Sequence, residues 1–200
     1  MTKPSFTLSS QKLPIRDLPT GSFLVHATNC IASWGAGIAA ELAAIFPAAC
    51  EVYKDFCNAA KATPSARWPP RSLTGKCLII PPQDSDIAAG APKVSIVCLF
   101  TSYGYGRSNP AKGKPGKDTT ATILRQTNTA LAEFRRQLDE MRIENKDQNQ
   151  GNDGSEEPMV IYSNRFNSGA FKVPWEQTEV LIQDKFAGWH GSWIVLEPPS

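Results

Sequence analysis

Short apolar runs rich in β-branched residues recur along this chain, and longer stretches with helical spacing lie between several of them. The runs at 5–8, 23–27, 77–80, 94–100, 160–163 and 193–196 are predicted as strands. Two Ala-rich helices are predicted over 37–46 and 48–60, on either side of Pro47. Proline lacks a backbone donor, so Pro47 ends the first helix and can open the second. The longest helical pattern covers 119–143, where Ile123, Leu124, Leu131, Phe134, Leu138 and Met141 keep near-helical spacing. A last helix is predicted over 175–186, with Pro174 placed to start it. Strands alternating with helices imply an α/β fold with helices on both faces of the sheet.

Composition narrows the function classes. Two hundred residues suit a single domain spanning 1–200. Twenty-one Lys and Arg against 19 Asp and Glu give a net charge of +2, which argues against a protein that coats a duplex or an acidic membrane. The apolar-looking stretch 31–49 is interrupted by Ser33, Gly35, Gly37, Glu41 and Pro47, so no membrane span is expected. Residues 1–10 lack a basic flank followed by an apolar run, so no signal peptide is expected. The five cysteines are odd in number and sit mostly in apolar segments, which reads as reduced thiols in a cytoplasmic or nuclear protein. Neither their spacing nor the two distant histidines, His26 and His190, make a metal site.

Two segments read as insertions. Residues 104–117 hold four Gly, two Pro and the cations Arg107, Lys112, Lys114 and Lys117, either solvated or meeting an anionic ligand. Only Tyr103 and Tyr105 are nearby aromatics, so nucleic acid is not an expected partner. Residues 145–157 are polar and acidic and read as a solvated loop.

The candidate chemistry begins where a strand runs out into polar groups, Val25-His26-Ala27-Thr28-Asn29. In open α/β sheets, ligands sit at the carboxyl ends of strands. Trp34-Gly35-Ala36-Gly37-Ile38 then runs into a helix. Glycines allow close backbone approach and a helix start offers free N–H donors, so this is an anion site. It is neither a dinucleotide fingerprint, because Ala40 stands where a third Gly is needed, nor a Gly-Lys-Ser/Thr phosphate loop. A second strand leads into Asn167-Ser168-Gly169-Ala170-Phe171-Lys172-Val173-Pro174, again a small-residue turn before a helix.

Together these two loops resemble those of the macrodomain family, the ADP-ribose-binding α/β/α fold. The Ser-Trp-Gly-x-Gly-Ile-Ala loop, Gly75-Lys76-Cys77 before a strand, Cys98-Leu99-Phe100-Thr101-Ser102 at a strand end and the Asn-Ser-Gly…Val-Pro-Trp loop are similar to the fungal ADP-ribose 1″-phosphate phosphatase branch. The resemblance covers most of the chain and implies three layers around a mixed, mostly parallel sheet. It implies that Asn29 contacts the distal ribose. Amides of Gly35, Ala36, Gly37 and Ile38 would hold one phosphate. Ser168, Gly169, Ala170 and Phe171 would hold the other, with Trp34 and Asn167 in the same two loops and the Phe171 ring beside the ribose. Lys172 stands where the family usually has Gly, and as a cation it would lie near the phosphates. The adenine-reading Gly-Asp/Asn-Ile turn is replaced by Ser9-Ser10-Gln11-Lys12-Leu13, where Gln11 would substitute.

The implied activity is hydrolysis of ADP-ribose 1″-phosphate to ADP-ribose and phosphate by a monomer without cofactor. No Cys has an Arg six residues later, and Asp84-Ser85-Asp86 reads as a loop. Cys30, beside Asn29, reads as a small apolar filler. His26 remains, either as a core histidine or as the group that orients or deprotonates water. Cleavage at P–O and at the anomeric C–O both stay open. Removal of ADP-ribose from proteins is the alternative activity, although Ala39 and Phe171 occupy the places where two hydrolase branches carry Asp. A non-catalytic ADP-ribose reader is the third reading.

Overall fold

The computed structural model describes residues 5–148 and 158–197. Six strands form one sheet: β1 (Phe6–Gln11), β2 (Phe23–Thr28), β3 (Cys77–Ile80), β4 (Ser95–Phe100), β5 (Met159–Ser163) and β6 (Gly191–Leu196). Their spatial order is β1-β6-β5-β2-β4-β3. Every pairing is parallel except β3 with β4, which is antiparallel. The sheet is therefore mixed and mostly parallel, as expected.

Helices α1 (Ile38–Ile45) and α2 (Pro47–Ala59) cover one face, and α4 (Thr120–Gln148) and α5 (Trp175–Lys185) cover the other. β2 shows how the sequence divides between the layers. Side chains alternate along a strand. Leu24 therefore joins the α2 layer with Ile96, Cys98 and Phe100, while Phe23 and Val25 pack with Phe134 and Trp193 under α4 and α5. Both faces are buried, so the central strands read as continuous apolar runs. In α4 the buried residues Ile123, Thr127, Ala130, Leu131, Phe134 and Leu138 recur every three or four positions and form the stripe that docks on the sheet.

Strand and helix positions agree with expectation to within a few residues, with three corrections. β1 runs on through Ser9, Ser10 and Gln11, because an edge strand tolerates exposed polar residues on its outer pleat. The Asp84-Ser85-Asp86 segment is not a loop but the start of α3 (Asp84–Ala88). Asp86 is buried there, and its carboxylate accepts from the amides of Ala48 (2.9 Å) and Ala49 (3.1 Å). It thus satisfies the first donors of α2, whose Pro47 has none to offer. Finally, residues 145–148 continue α4 instead of entering a loop, and 149–157 lie outside the described residues. No helix among the described residues is long and apolar enough to cross a membrane.

Candidate functional site

β2 has β5 on one side and β4 on the other, so the chain's connections leave β2 in both directions. Such a switch point opens a crevice at the carboxyl ends of the strands. A cleft of about 130 Å³, open to solvent, lies there between the loop after β2 and the loop after β5. Gly35, Ala36, Gly37 and Ile38 line one side, and Gly169, Ala170 and Phe171 line the other. The two loops singled out in the sequence therefore face each other.

The first loop is held from within. Asn29 is buried, and its amide oxygen accepts from Ile31 N (3.0 Å), Ser33 N (3.4 Å) and the Tyr53 hydroxyl (3.1 Å). Its amide nitrogen donates to Ser33 O at 2.7 Å. An amide carries two N–H groups, so one remains for a ligand. Asn29 lines the cleft, but most of its capacity closes the turn in which Ala32 sits at φ 59°. Trp34 does not line the cleft. It lies beneath the loop, stacked on Tyr53 at 5.1 Å and edge-on to His26 at 4.7 Å. Gly37 precedes α1 at φ 57°, ψ −139°, a combination closed to side chains with a Cβ. The amides of Ala40 and Glu41 already donate to Gly37 O. The donors left for an anion are those of Gly35, Ala36, Gly37, Ile38 and Ala39, for which no protein acceptor is found among the described residues.

The second loop depends on Asn167. At φ 68° it takes the left-handed conformation that Asn tolerates better than most residues. Its buried amide accepts from Thr101 Oγ1 (2.7 Å) and donates to Thr127 Oγ1 (2.9 Å) and Thr178 Oγ1 (3.4 Å). One side chain thereby ties the loop to the end of β4, to α4 and to α5. The Ser168 amide donates to Arg165 O (3.2 Å), Lys172 N to Gly169 O (3.2 Å) and Val173 N to Asn167 O (2.9 Å). Gly169, Ala170 and Phe171 keep the amides that can meet an anion. Two expectations are corrected here. Ser168 does not line the cleft, its amide is engaged, and its hydroxyl is buried without a protein partner. Lys172 is exposed, does not line the cleft, and sits at φ 57° because the turn bends there.

A third wall was not read from the sequence. Tyr105, in the 104–117 segment, lines the cleft. Lys114 Nζ stands 3.9 Å from the centre of its ring and donates to Tyr105 O at 2.7 Å. Of the four cations in this segment, Lys114 is thus a strap, while Arg107 and Lys112 are exposed. The segment doubles back so tightly that a Cβ on Gly104 would lie 2.4 Å from Pro115 O. Asp118 anchors its far end. Its carboxylate accepts from Arg71 Nη2 (2.9 Å) and Tyr103 N (2.8 Å), and Gln126 adds a third donor. Burial pushes this carboxyl up, but these donors and the Arg71 charge outweigh it and hold Asp118 below its ordinary value. Ser33, Asn164 and Phe166 also line the cleft. Only their closeness to the two recognised loops signalled them in the sequence.

No family model matches the chain. Among curated proteins, an ADP-ribose 1″-phosphate phosphatase of Neosartorya fischeri is 37% identical over 183 residues, covering 83% of this chain and 84% of that protein. One from Debaryomyces hansenii is 33% identical over 178 residues, covering 88% and 89%. The chain belongs to the ADP-ribose 1″-phosphate phosphatase family. Its fold is that of the macrodomains. The macrodomain of Mycobacterium tuberculosis DarG superposes with a TM-score of 0.62 at 17% identity, covering 97% of this chain and 99% of that one. Thermosipho africanus DarTG, solved in complex with ADP-ribose, gives a TM-score of 0.52 at 14% identity over 88% of this chain and 38% of that one.

Within this phosphatase-family chain, two expected residues stand away from the cleft. Gln11 ends the edge strand β1, which β6 separates from the strands that build the cleft, and its side chain is exposed. His26 pairs with Cys98 across β2 and β4 and points into the α1/α2 layer, with Cys98 Sγ 3.6 Å from its Nε2. It is fully buried, and its Nδ1 has no hydrogen-bond partner. Burial lowers its pKa from 6.5 to about 3. A group so placed neither reaches water in the cleft nor takes a proton near neutrality, so the water-activating role expected of His26 is not supported.

The same burial predicts a pH effect on stability. The unfolded chain protonates His26 below about pH 6.5, while the folded chain keeps it neutral to about pH 3. Stability is therefore fully present above pH 6.5 and falls as pH drops through this window, by up to about 1.4 kcal/mol per pH unit from this residue. Urea melts from pH 7 to pH 4 should show a shallower loss for His26→Leu than for the wild type. Equal slopes would contradict the assignment.

Proposed function

We propose that this protein hydrolyses ADP-ribose 1″-phosphate to ADP-ribose and phosphate. The observation that carries the reading is a cleft walled by two helix-leading loops that keep backbone amides free of protein acceptors, in a chain 37% identical to a named phosphatase over most of both lengths. Amides at helix starts bind phosphate without side-chain cations. A near-neutral chain with net charge +2 is therefore compatible with a multiply anionic ligand. Ala39 and Phe171 both line the cleft and bring no carboxylate to it, which supports the phosphatase reading over removal of ADP-ribose from proteins.

The test is release of inorganic phosphate from ADP-ribose 1″-phosphate, alongside calorimetric titration with ADP-ribose, ADP and AMP. Turnover with ADP-ribose binding is expected. Binding without turnover of any ADP-ribosyl substrate would leave a reader and overturn the proposal.

A further inference from the structure

From the way the 104–117 segment is built against the cleft, we infer that Tyr105 contacts the terminal ribose of the ligand and so sets a preference for ADP-ribose over the bare nucleotide, with Lys114 as the positioning residue that holds Tyr105 in place. The inference rests on the ADP-ribosyl ligand of the reading above.

The cleft is asymmetric. Its lining comes from β2 and the chain that leads into α1, from the loop after β5, and from Tyr105, which follows β4. No described residue of β1, β6 or the segments that follow them lines it. Tyr105 therefore walls the β4 end, and the end toward β6 is open. At about 130 Å³ the cleft is smaller than the roughly 300–1,000 Å³ of pockets that bury a whole drug-sized ligand, so it houses only part of ADP-ribose. With the diphosphate between the loops after β2 and β5, the two ends of the ligand run toward β4 and toward β6. The ribose is the smaller end and carries the reacting bond, and chemistry needs that end held in one orientation. It belongs at the walled end. The bulkier adenosine extends over the open side, where Gln11, the residue expected to read adenine, does not reach the cleft.

Tyr105 is fixed from two sides. Its side chain packs against the buried cluster of Ile123, Phe171 and Val173, so it adjoins the second amide loop. Lys114 Nζ lies 3.9 Å from the ring centre and donates to the carbonyls of Tyr105 (2.7 Å) and Arg107 (3.3 Å). One ammonium thus holds both the ring and the backbone of the same residue. Lys114 is itself anchored, because its amide donates to Asn109 O (3.0 Å) and its carbonyl accepts from Asn109 N (2.9 Å). No described residue is hydrogen-bonded to the Tyr105 hydroxyl, which remains for the ligand. A wall held in this way loses little freedom on binding, so a lysine that does not line the cleft still raises affinity.

The experiment is calorimetric titration of the full chain with ADP-ribose, with ADP affinity read by displacement of bound ADP-ribose. ADP carries the same adenosine and diphosphate and lacks the terminal ribose. The wild type should favour ADP-ribose. Tyr105→Ala should weaken ADP-ribose about 10-fold and leave ADP within about 2-fold. Lys114→Met should weaken ADP-ribose about 5-fold in the wild type. In the Tyr105→Ala background it should add less than about 2-fold, because it acts through that ring. Thermal melts report folding, and Tyr105→Leu, which keeps apolar packing against the cluster, replaces an alanine variant that melts early. Equal losses for ADP and ADP-ribose put Tyr105 at the adenosine or diphosphate and overturn the inference, as does an unchanged ADP-ribose affinity. Additive losses in the double variant overturn the role of Lys114. All of these results leave the phosphatase reading in place. The expected discrimination without phosphate release from ADP-ribose 1″-phosphate removes the phosphatase reading alone. A wild type that binds no ADP-ribose overturns the proposed ligand and the inference with it.

Discussion

Asn167→Ala is expected to destabilise the protein by about 3 kcal/mol. Its amide makes three buried hydrogen bonds, at 2.7, 2.9 and 3.4 Å, to threonines on three different elements. Removing it leaves the Thr101 hydroxyl without its acceptor in a dry environment, and unsatisfied buried groups cost about 1–3 kcal/mol each. Thr127 suffers less, because its hydroxyl still donates to Ile123 O at 2.7 Å. Alanine must also hold the left-handed φ of 68°, which costs roughly 1–2 kcal/mol more than it costs Gly. For a chain of this size, about 2–4 °C is lost per kcal/mol, so the melting temperature should fall by about 6–12 °C. Asn167→Gly separates the contributions. It relieves the backbone and not the hydrogen bonds, so it should recover only about 1 kcal/mol of the loss. A melting temperature within about 2–3 °C of wild type for Asn167→Ala would show that the loop is not held by this side chain.

The second large effect is on binding. Gly169→Glu should weaken ADP-ribose binding at least about 100-fold, equivalent to about 2.8 kcal/mol, while leaving the fold intact. Gly169 is exposed at the cleft, its φ lies outside the left-handed region, and a Cβ placed there meets nothing within 4 Å. The substitution is therefore free of steric cost to the protein. The new side chain would occupy space between the two amide loops and bring a negative charge to where a diphosphate is proposed to sit. Gly169→Gln supplies similar bulk without the charge, so the difference between the two variants measures the electrostatic part. Calorimetry gives the affinities, and thermal melts confirm folding. Affinity unchanged in Gly169→Glu would move the ligand out of this cleft.

Both predictions concern loops that the order of residues alone makes legible. Pro47 and Pro174 mark helix starts, Gly35 and Gly37 mark a turn into a helix, and short apolar runs mark the strands. These signals are short-range: they depend on the dihedral freedom and hydrogen-bonding habits of neighbouring residues, so sequence order suffices to read them. The mixed, mostly parallel sheet followed in turn from the resemblance carried by those loops.

The roles of individual side chains did not follow. His26 and Ala27 are adjacent in the sequence, yet the pleat sends His26 into the α2 layer and leaves Ala27 to line the cleft. Which of the two faces the ligand depends on which layer the next helices cover. Asn29 and Asn167 both stand in ligand-binding motifs, but much of their hydrogen-bonding capacity goes to partners such as Tyr53 and Thr101, 24 and 66 residues away. Tyr105 reaches the cleft because Lys114 and Asp118 fold the 104–117 segment back on itself.

By itself, the sequence determined the elements and the two amide-bearing loops, because local backbone preference and apolar period specify them, and the fold family followed from the resemblance those loops carry. Only the tertiary structure decided which side chains are solvent-facing chemistry and which are internal bracing, because that depends on long-range packing. That packing turned His26 into the α1/α2 layer and left a cleft lined mainly by loop backbone and small or aromatic side chains.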